Sequence, residues 1–111
     1  MARRFTYLSY RNDSFAAFVR DQLSDLDGLV TKRMFGGTGL YLDDVFFGII
    51  YSDRLYFRVS EETIDEYQRR KMKPFKPFAG KSSSKRYYEV PLEILESPVD
   101  LVRWARKASK S

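Results

Sequence analysis

The chain has 111 residues, of which 43% are hydrophobic and 16% aromatic, so we expect a single domain, residues 1–111, with a packed core. It contains no cysteine and no histidine, which excludes disulfide bonds, thiolate chemistry and the side chain that most often serves as general base or metal ligand. The formal net charge of +5 can attract nucleic acid or an acidic protein surface, although many proteins of this charge bind neither.

The first predicted element is a helix over residues 13–26. Residues 1–12 show no clear periodicity, and we expect them to form an N-terminal arm outside a core of about residues 13–108. The apolar stripe at helical spacing consists of Phe15, Phe18, Val19, Leu23 and Leu26. Asn12 or Asp13 is placed to cap this helix, and Gly28 is placed to end it in a left-handed conformation.

Four segments with the composition of β-strands follow, at residues 29–35, 39–42, 45–51 and 54–59. The third is almost wholly apolar, so we expect it to lie in the middle of a sheet and to be covered on both faces. The polar pairs Asp43-Asp44 and Ser52-Asp53 separate the last three segments. Two-residue connections of this kind predict β-hairpins, and therefore an antiparallel meander of three or four strands.

The second half of the chain predicts two further helices and one strand. Ser60 is placed to cap a helix over residues 60–71, with glutamates in its first turn and basic residues in its last. Residues 69–86 contain eight basic residues, no acidic residue, two prolines and a glycine, which is typical of a surface loop. A strand at residues 86–90, a short helical turn at residues 91–96, and a helix that Ser97 caps complete the order. The prediction is an α+β fold with helices packed on one face of an antiparallel sheet.

The motif RMFGGTG, residues 33–39, has the glycine content of a phosphate-binding loop beside positive charge. A phosphate loop presents its backbone N–H groups at the start of a helix, however, and the segment after Gly39 has the pattern of a strand. We therefore interpret Gly36 and Gly37 as residues that shape a tight turn or bulge between two strands. A turn does not require Arg33, which can pair with a buried carboxylate or face a partner.

The whole pattern resembles the TfoX N-terminal domain family, which is named after a bacterial regulator of natural competence. The similarity continues through an L-Y-F-R-V strand at residues 55–59, an M-x-P-F element at residues 72–75, and W-A-R-K-A in the last helix. Family signature positions and candidate interaction residues are Arg33, Met34, Phe35, Gly36, Gly37, Gly39, Tyr41, Tyr87 and Tyr88. The resemblance implies the family's α+β fold and no catalytic residue. It also shows two departures, since the family often has Asp-Gly where this chain has Asp43-Asp44, and glycine where it has Lys71.

Full-length competence regulators of this family carry a second, C-terminal domain, for which we expect no room in 111 residues. The fold is therefore implied more directly than the regulatory role. Our first hypothesis is a non-catalytic domain that acts through a protein partner, with Tyr41, Tyr56, Tyr87 and Tyr88 as exposed aromatic anchors. A homodimer through an edge strand is a further expectation.

The alternative is direct binding of nucleic acid by the basic loop and the last helix. Its candidate residues are Arg69, Arg70, Lys71, Lys73, Lys76, Lys81, Lys85, Arg86, Arg103, Arg106, Lys107 and Lys110. Catalysis or Mg²⁺ binding by Asp43, Asp44 and Asp53 is the least favoured hypothesis, because adjacent residues of a two-residue turn usually point apart. We expect no metal and no cofactor. With no signal peptide and no apolar run near the ~20 residues of a membrane helix, we also expect a cytoplasmic protein without a membrane partner.

Overall fold

The computed structural model describes residues 11–34, 36–76 and 84–111, with side chains from residue 14 onward and, in the last segment, from residue 86. Residues 1–10 of the predicted N-terminal arm, Phe35 and Lys81 lie outside the described residues, as does the side chain of Lys85. The predicted end of the arm at residue 12 is wrong, because the first helix already includes Arg11 and Asn12. The elements in chain order are α1 Arg11–Gln22, β1 Leu29–Met34, β2 Gly37–Leu42, β3 Val45–Tyr51, β4 Arg54–Arg58, α2 Ile64–Arg69, β5 Pro74–Phe75, β6 Ser84–Glu89, α3 Leu92–Leu95 and α4 Pro98–Ser109.

The strands form one sheet in the order β1-β2-β3-β4-β6-β5, and every neighbouring pair is antiparallel. The predicted α+β class and the four-strand meander are confirmed. β3 lies inside the sheet, and its residues 47–50 are all buried, as its apolar sequence predicts. The interpretation of residues 69–86 as one loop is wrong in two places, because Pro74–Phe75 forms an edge strand and Ser84 already begins β6.

The two predicted hairpin turns are present, and all four of their central residues are left-handed. Asp43 and Asp44 have φ of 53° and 68°, and Ser52 and Asp53 have φ of 51° and 60°. Positive φ at both central positions is the geometry of a type I′ turn, whose twist matches that of the flanking strands. Asp44 therefore occupies a position where glycine would adopt the same backbone at lower cost.

The ends of α1 and α2 differ from the prediction. Asn12 and Asp13 lie inside α1 and do not cap it, and Gly28, with φ of 89°, lies well beyond its last residue, Gln22. Ser60 organises a turn before α2 instead of capping the helix, because its hydroxyl accepts a hydrogen bond from the Glu62 N–H at 3.2 Å. The helix itself begins four residues later, at Ile64.

The last helix begins as predicted, and Lys71, where the family often has glycine, follows the end of α2. Ser97 accepts a hydrogen bond from the Asp100 N–H at 3.3 Å, and Pro98 occupies the first turn of α4. Just beyond α2, Lys71 is left-handed with φ of 61°. Glycine commonly terminates a helix in this conformation, so a lysine here is under backbone strain.

The helices cover one face of the sheet and form the core with it. The core contains alternate residues of the central strands, such as Leu40, Leu55 and Phe57, all at most 1% exposed. From the helices it contains Tyr67 of α2 and Trp104 of α4, whose ring centroids lie 4.9 Å apart. Because successive side chains of a strand point to opposite faces, the residues between these core positions lie on the other face of the sheet.

Candidate interaction surface

The glycines of the RMFGGTG motif serve the packing of the sheet. Gly36 has φ of 79° in the connection between β1 and β2, which confirms the predicted tight turn. Gly37 belongs to β2, and a Cβ atom on it would collide with the backbone carbonyl oxygen of Ile50 on β3. A Cβ atom on Gly39 would stand 2.6 Å from the Met34 sulfur and 3.1 Å from the Phe46 ring. Strand β2 begins within the motif, at Gly37, so the helix N-terminus of a phosphate-binding loop is not formed here.

The space above these glycines is filled by rings, on the face of the sheet opposite the helices. We call this face the open face and define it by the side chains of Met34, Tyr41, Phe46, Ile49, Tyr51, Tyr56, Phe75 and Tyr87. Their placement follows from the register, in which Ile49 opposes Gly39 on one side and Tyr56 on the other. None of these side chains belongs to the core cluster that the helices cover.

The rings of the open face form two groups. Tyr41 and Phe46 lie 5.2 Å apart between centroids, and Phe46 and Tyr87 lie 5.5 Å apart, so one group joins β2, β3 and β6. In the second group, Phe75 of β5 packs against Tyr56 at 4.8 Å and against Tyr51 at 5.6 Å. These separations are those of attractive tilted and edge-to-face aromatic pairs.

The four tyrosines predicted as exposed anchors divide into two classes. Tyr88 is 6% exposed and belongs to the core cluster, and Tyr56 is 9% exposed, so the expectation that they are exposed is wrong. Tyr41 and Tyr87 are half-buried on the open face. Burial raises the pKa of the Tyr87 phenol above its ordinary value, while the nearby charges of Arg58 and Arg86 act in the opposite direction.

Positive charge and exposed apolar surface lie at the β1 edge of the open face. The Lys32 Nζ lies 4.9 Å from the centroid of the Tyr41 ring, in the arrangement of a cation–π contact. Val30, the cross-strand partner of Tyr41, is 49% exposed. Exposed Arg33 lines a small cavity of about 30 Å³ together with Gly36, Gly37 and Asp53. The motif arginine is thus near a carboxylate of the β3–β4 turn, and its role in stability or binding stays a prediction.

Several of the residues predicted to contact nucleic acid form ion pairs within the protein. Arg69 contacts Glu66 at 3.1 Å, and Arg70 contacts Glu66 at 3.4 Å and also Glu93. Arg103 contacts Asp100 at 2.8 Å on α4. A cleft of about 270 Å³ between α2 and α4 is lined by Glu66, Arg70, Asp100 and Arg103 of these pairs, and it therefore carries charges of both signs.

A second cleft is mainly basic, and we call it the basic cleft. It has a volume of about 470 Å³ and is lined by Arg54, Tyr56, Lys71, Met72, Lys73, Pro74, Lys76 and Glu89. It adjoins the open face, because Tyr56 belongs to both. Lys71, Lys73 and Lys76 are exposed, whereas Arg54 is held by Glu89 at 2.9 Å. The basic residues Arg106 and Lys107 lie on α4 and do not line this cleft.

The acidic residues provide no metal site among the described residues, where no group of three potential metal ligands is present. Asp43 and Asp44 are both exposed at the tip of their hairpin. Among the helices that the structure describes, none has the length and apolar character needed to cross a membrane.

Comparison with protein families places most of this chain in one family. The model described as TfoX N-terminal domain matches residues 21–111. Its match includes the glycine motif, all six strands, and the helices α2 to α4. A comparison with curated proteins gives no match.

Proposed function

Because the chain belongs to the TfoX N-terminal domain family, we propose that it is a non-catalytic regulatory domain that acts by binding a protein partner through the open face. The observation that carries this proposal is the half-buried aromatic group of Tyr41, Phe46 and Tyr87 on the face opposite the helices. Aromatic side chains are enriched in protein interfaces because they bury a large area at a small cost in side-chain entropy.

The position of these rings favours contact with a partner over a role in the domain's own core. The core forms on the helix side, and its fully buried members include Phe47 and Phe57. The rings of the open face pack against one another instead, with Val30 and Lys32 at their margin. A partner that covers them would bury apolar area at the centre and leave charged residues at the rim, as stable interfaces do.

The non-catalytic part of the proposal rests on the chemistry of the side chains. The sequence contains neither histidine nor cysteine, so neither a Ser–His nor a Cys–His nucleophile–base pair can be built. The carboxylates of the described residues form no group that could hold a metal ion. The family to which the chain belongs is likewise a family of regulatory domains.

Direct binding of nucleic acid is supported less well than binding of a protein. The basic residues of the predicted site are divided between the basic cleft, the ion pairs of α2 and α4, and the outer surface of α4. A strand of nucleic acid needs cations that follow its backbone over several nucleotides. A homodimer stays a prediction, and the six-residue edge strand β1 offers more backbone for pairing than the two-residue β5.

Affinity capture from the native host with paired variants tests the proposal. The wild-type domain should retain a stoichiometric protein, and the double variant Tyr41→Ser, Tyr87→Ser should lose it. The control is Leu92→Ser, Val99→Ser, which removes two apolar side chains that are 62% and 75% exposed away from the open face. Melting temperatures must show that both variants are folded. Equal retention by the two double variants would contradict the proposed surface.

A further inference from the structure

We propose that the basic cleft recognises an acidic, carboxylate-rich segment of the protein partner. This inference rests on the proposed function and adds the chemistry of one part of the contact. The cleft lies at the end of the open face formed by β4, β6 and β5, and Tyr56 is common to both surfaces. A partner seated on the aromatic rings can therefore extend a charged segment into the cleft without leaving the surface.

The charges of the cleft favour an anion. Four cations, from Arg54, Lys71, Lys73 and Lys76, line it beside one carboxylate, that of Glu89. Glu89 is already occupied by Arg54, which donates a hydrogen bond to it at 2.9 Å. Within the described residues, no ion pair involves the three lysines, so their positive charge is available to a ligand. Lysine ammonium groups on flexible side chains suit several carboxylates in a short segment.

The backbone at Lys71 supports a binding role for its side chain. Its φ of 61° is left-handed, a conformation that glycine adopts without strain and lysine does not. The Lys71 side chain thus lines the basic cleft although its backbone is strained. Glycine at this position would give α2 a more stable end. Strain of this kind is often found at sites where a side chain is needed for function.

An acidic peptide fits the cleft better than nucleic acid does. Tyr56, the ring in the cleft, is 9% exposed, and its centroid lies 4.8 Å from that of Phe75, so the ring has little exposed surface on which a base could stack. The cations also converge on one compact cleft. Arg69 and Arg70, which precede the three lysines in the chain, are paired with Glu66 and do not line the cleft.

Fluorescence anisotropy with a labelled hexaglutamate peptide at about 0.15 M salt, where the Debye length is about 8 Å, tests this proposal on the whole chain. The wild type should bind the peptide, and the triple variant Lys71→Ala, Lys73→Ala, Lys76→Ala should bind about ten-fold more weakly, since each exposed pair contributes modestly. The control triple variant is Arg106→Ala, Lys107→Ala, Lys110→Ala, which removes the same charge outside the cleft. It should change the affinity less than about two-fold, because separated surface charges are largely screened.

Three results would overturn the inference: no binding by the wild type, equal weakening in the two triple variants, or tighter binding of an oligothymidylate of matched charge than of hexaglutamate. The capture experiment separates this failure from a failure of the proposed function. If the cleft variant retains the partner that the Tyr41→Ser, Tyr87→Ser variant loses, the function stands and the inference fails. If the peptide binds in the cleft but no partner is captured, the proposed function fails and the preference of the cleft for acidic peptide stands.

Discussion

The backbone of Gly37 on β2 lies so close to the carbonyl oxygen of Ile50 on β3 that no side chain can be added there. The approach allows the Tyr51 ring to lie beside the glycine, where a Cβ atom would be 3.2 Å from the Tyr51 Cδ1. The glycine motif therefore sets the spacing between two strands and the position of a ring on the open face. Its resemblance to a phosphate loop is limited to composition.

This relationship predicts different costs for two adjacent glycines. Gly37→Ala should lower the free energy of unfolding by about 2–3 kcal/mol, because the strands must move apart. Gly36→Ala should lower it by about 1 kcal/mol, because its cost is the left-handed backbone alone, with φ of 79°, and the nearest atom to an added Cβ, the Tyr51 Cε1, lies at an ordinary contact distance of 4.0 Å. Urea denaturation of both variants measures the difference. A larger loss for Gly36→Ala would contradict the packing role of Gly37.

Glycine at the Asp44 position should stabilise the fold. Asp44 has a left-handed φ of 68° in an exposed turn, and Asp44→Gly removes the strain of that conformation. The free energy of unfolding should therefore rise by about 0.5–1 kcal/mol. Asp44→Ala is the matched control, since it removes the same charge and keeps the strain. Thermal denaturation of the two variants would oppose this account if alanine stabilised as much as glycine.

Lys71 links stability to binding in opposite directions. Lys71→Gly should raise the free energy of unfolding by about 0.5–1 kcal/mol because φ is 61° at this position. The same change should weaken binding of an acidic peptide, because it removes a cation from the basic cleft. Lys71→Ala should weaken binding without the gain in stability. Unfolding midpoints and peptide affinities of both variants test this, and unchanged affinity in both would remove Lys71 from the site.

The buried phenol of Tyr67 predicts a loss of stability at alkaline pH. Burial raises the Tyr67 pKa above its ordinary value of about 10. The unfolded chain therefore loses this proton first. The contribution of Tyr67 is fully present below pH ~10 and is lost as the pH rises toward the folded-state pKa, by up to ~1.4 kcal/mol per pH unit. Tyr67→Phe should reduce the drop in urea midpoint between neutral pH and pH ~11. An identical drop in wild type and variant would refute this cause.

Much of the fold could be predicted from local pattern, because most elements have their own signals in the sequence. The strands of the meander have β-branched and aromatic runs, and Ser97-Pro98 marks the start of α4. β5 was missed because a two-residue strand containing Pro74 looks like a loop without its partner β6. The prediction that Ser60 caps α2 is wrong because a serine hydroxyl accepts a backbone N–H hydrogen bond in a turn as readily as at a helix cap.

The candidate surface could be predicted only in part. Tyr41 and Tyr87 were identified from the sequence, but Phe46 was not, although the alternation of strand residues places Phe46 near Tyr41 once the register is known. Ion pairs such as Arg70 with Glu93 join residues distant in sequence, so the charge of residues 69–86 could not be divided without the tertiary structure. The same reason explains why Arg54 was not assigned to the basic cleft.

Site-specific photo-crosslinking in the native host tests the central claim, that the open face contacts a protein partner. Tyr41→p-benzoylphenylalanine keeps an aromatic ring on that face, and Val99→p-benzoylphenylalanine places the same group on α4, at a position that is 75% exposed. The account predicts one discrete crosslinked protein with the photoreactive group at position 41 and none with the group at position 99. Crosslinking of the same protein from position 99, and not from position 41, would contradict it.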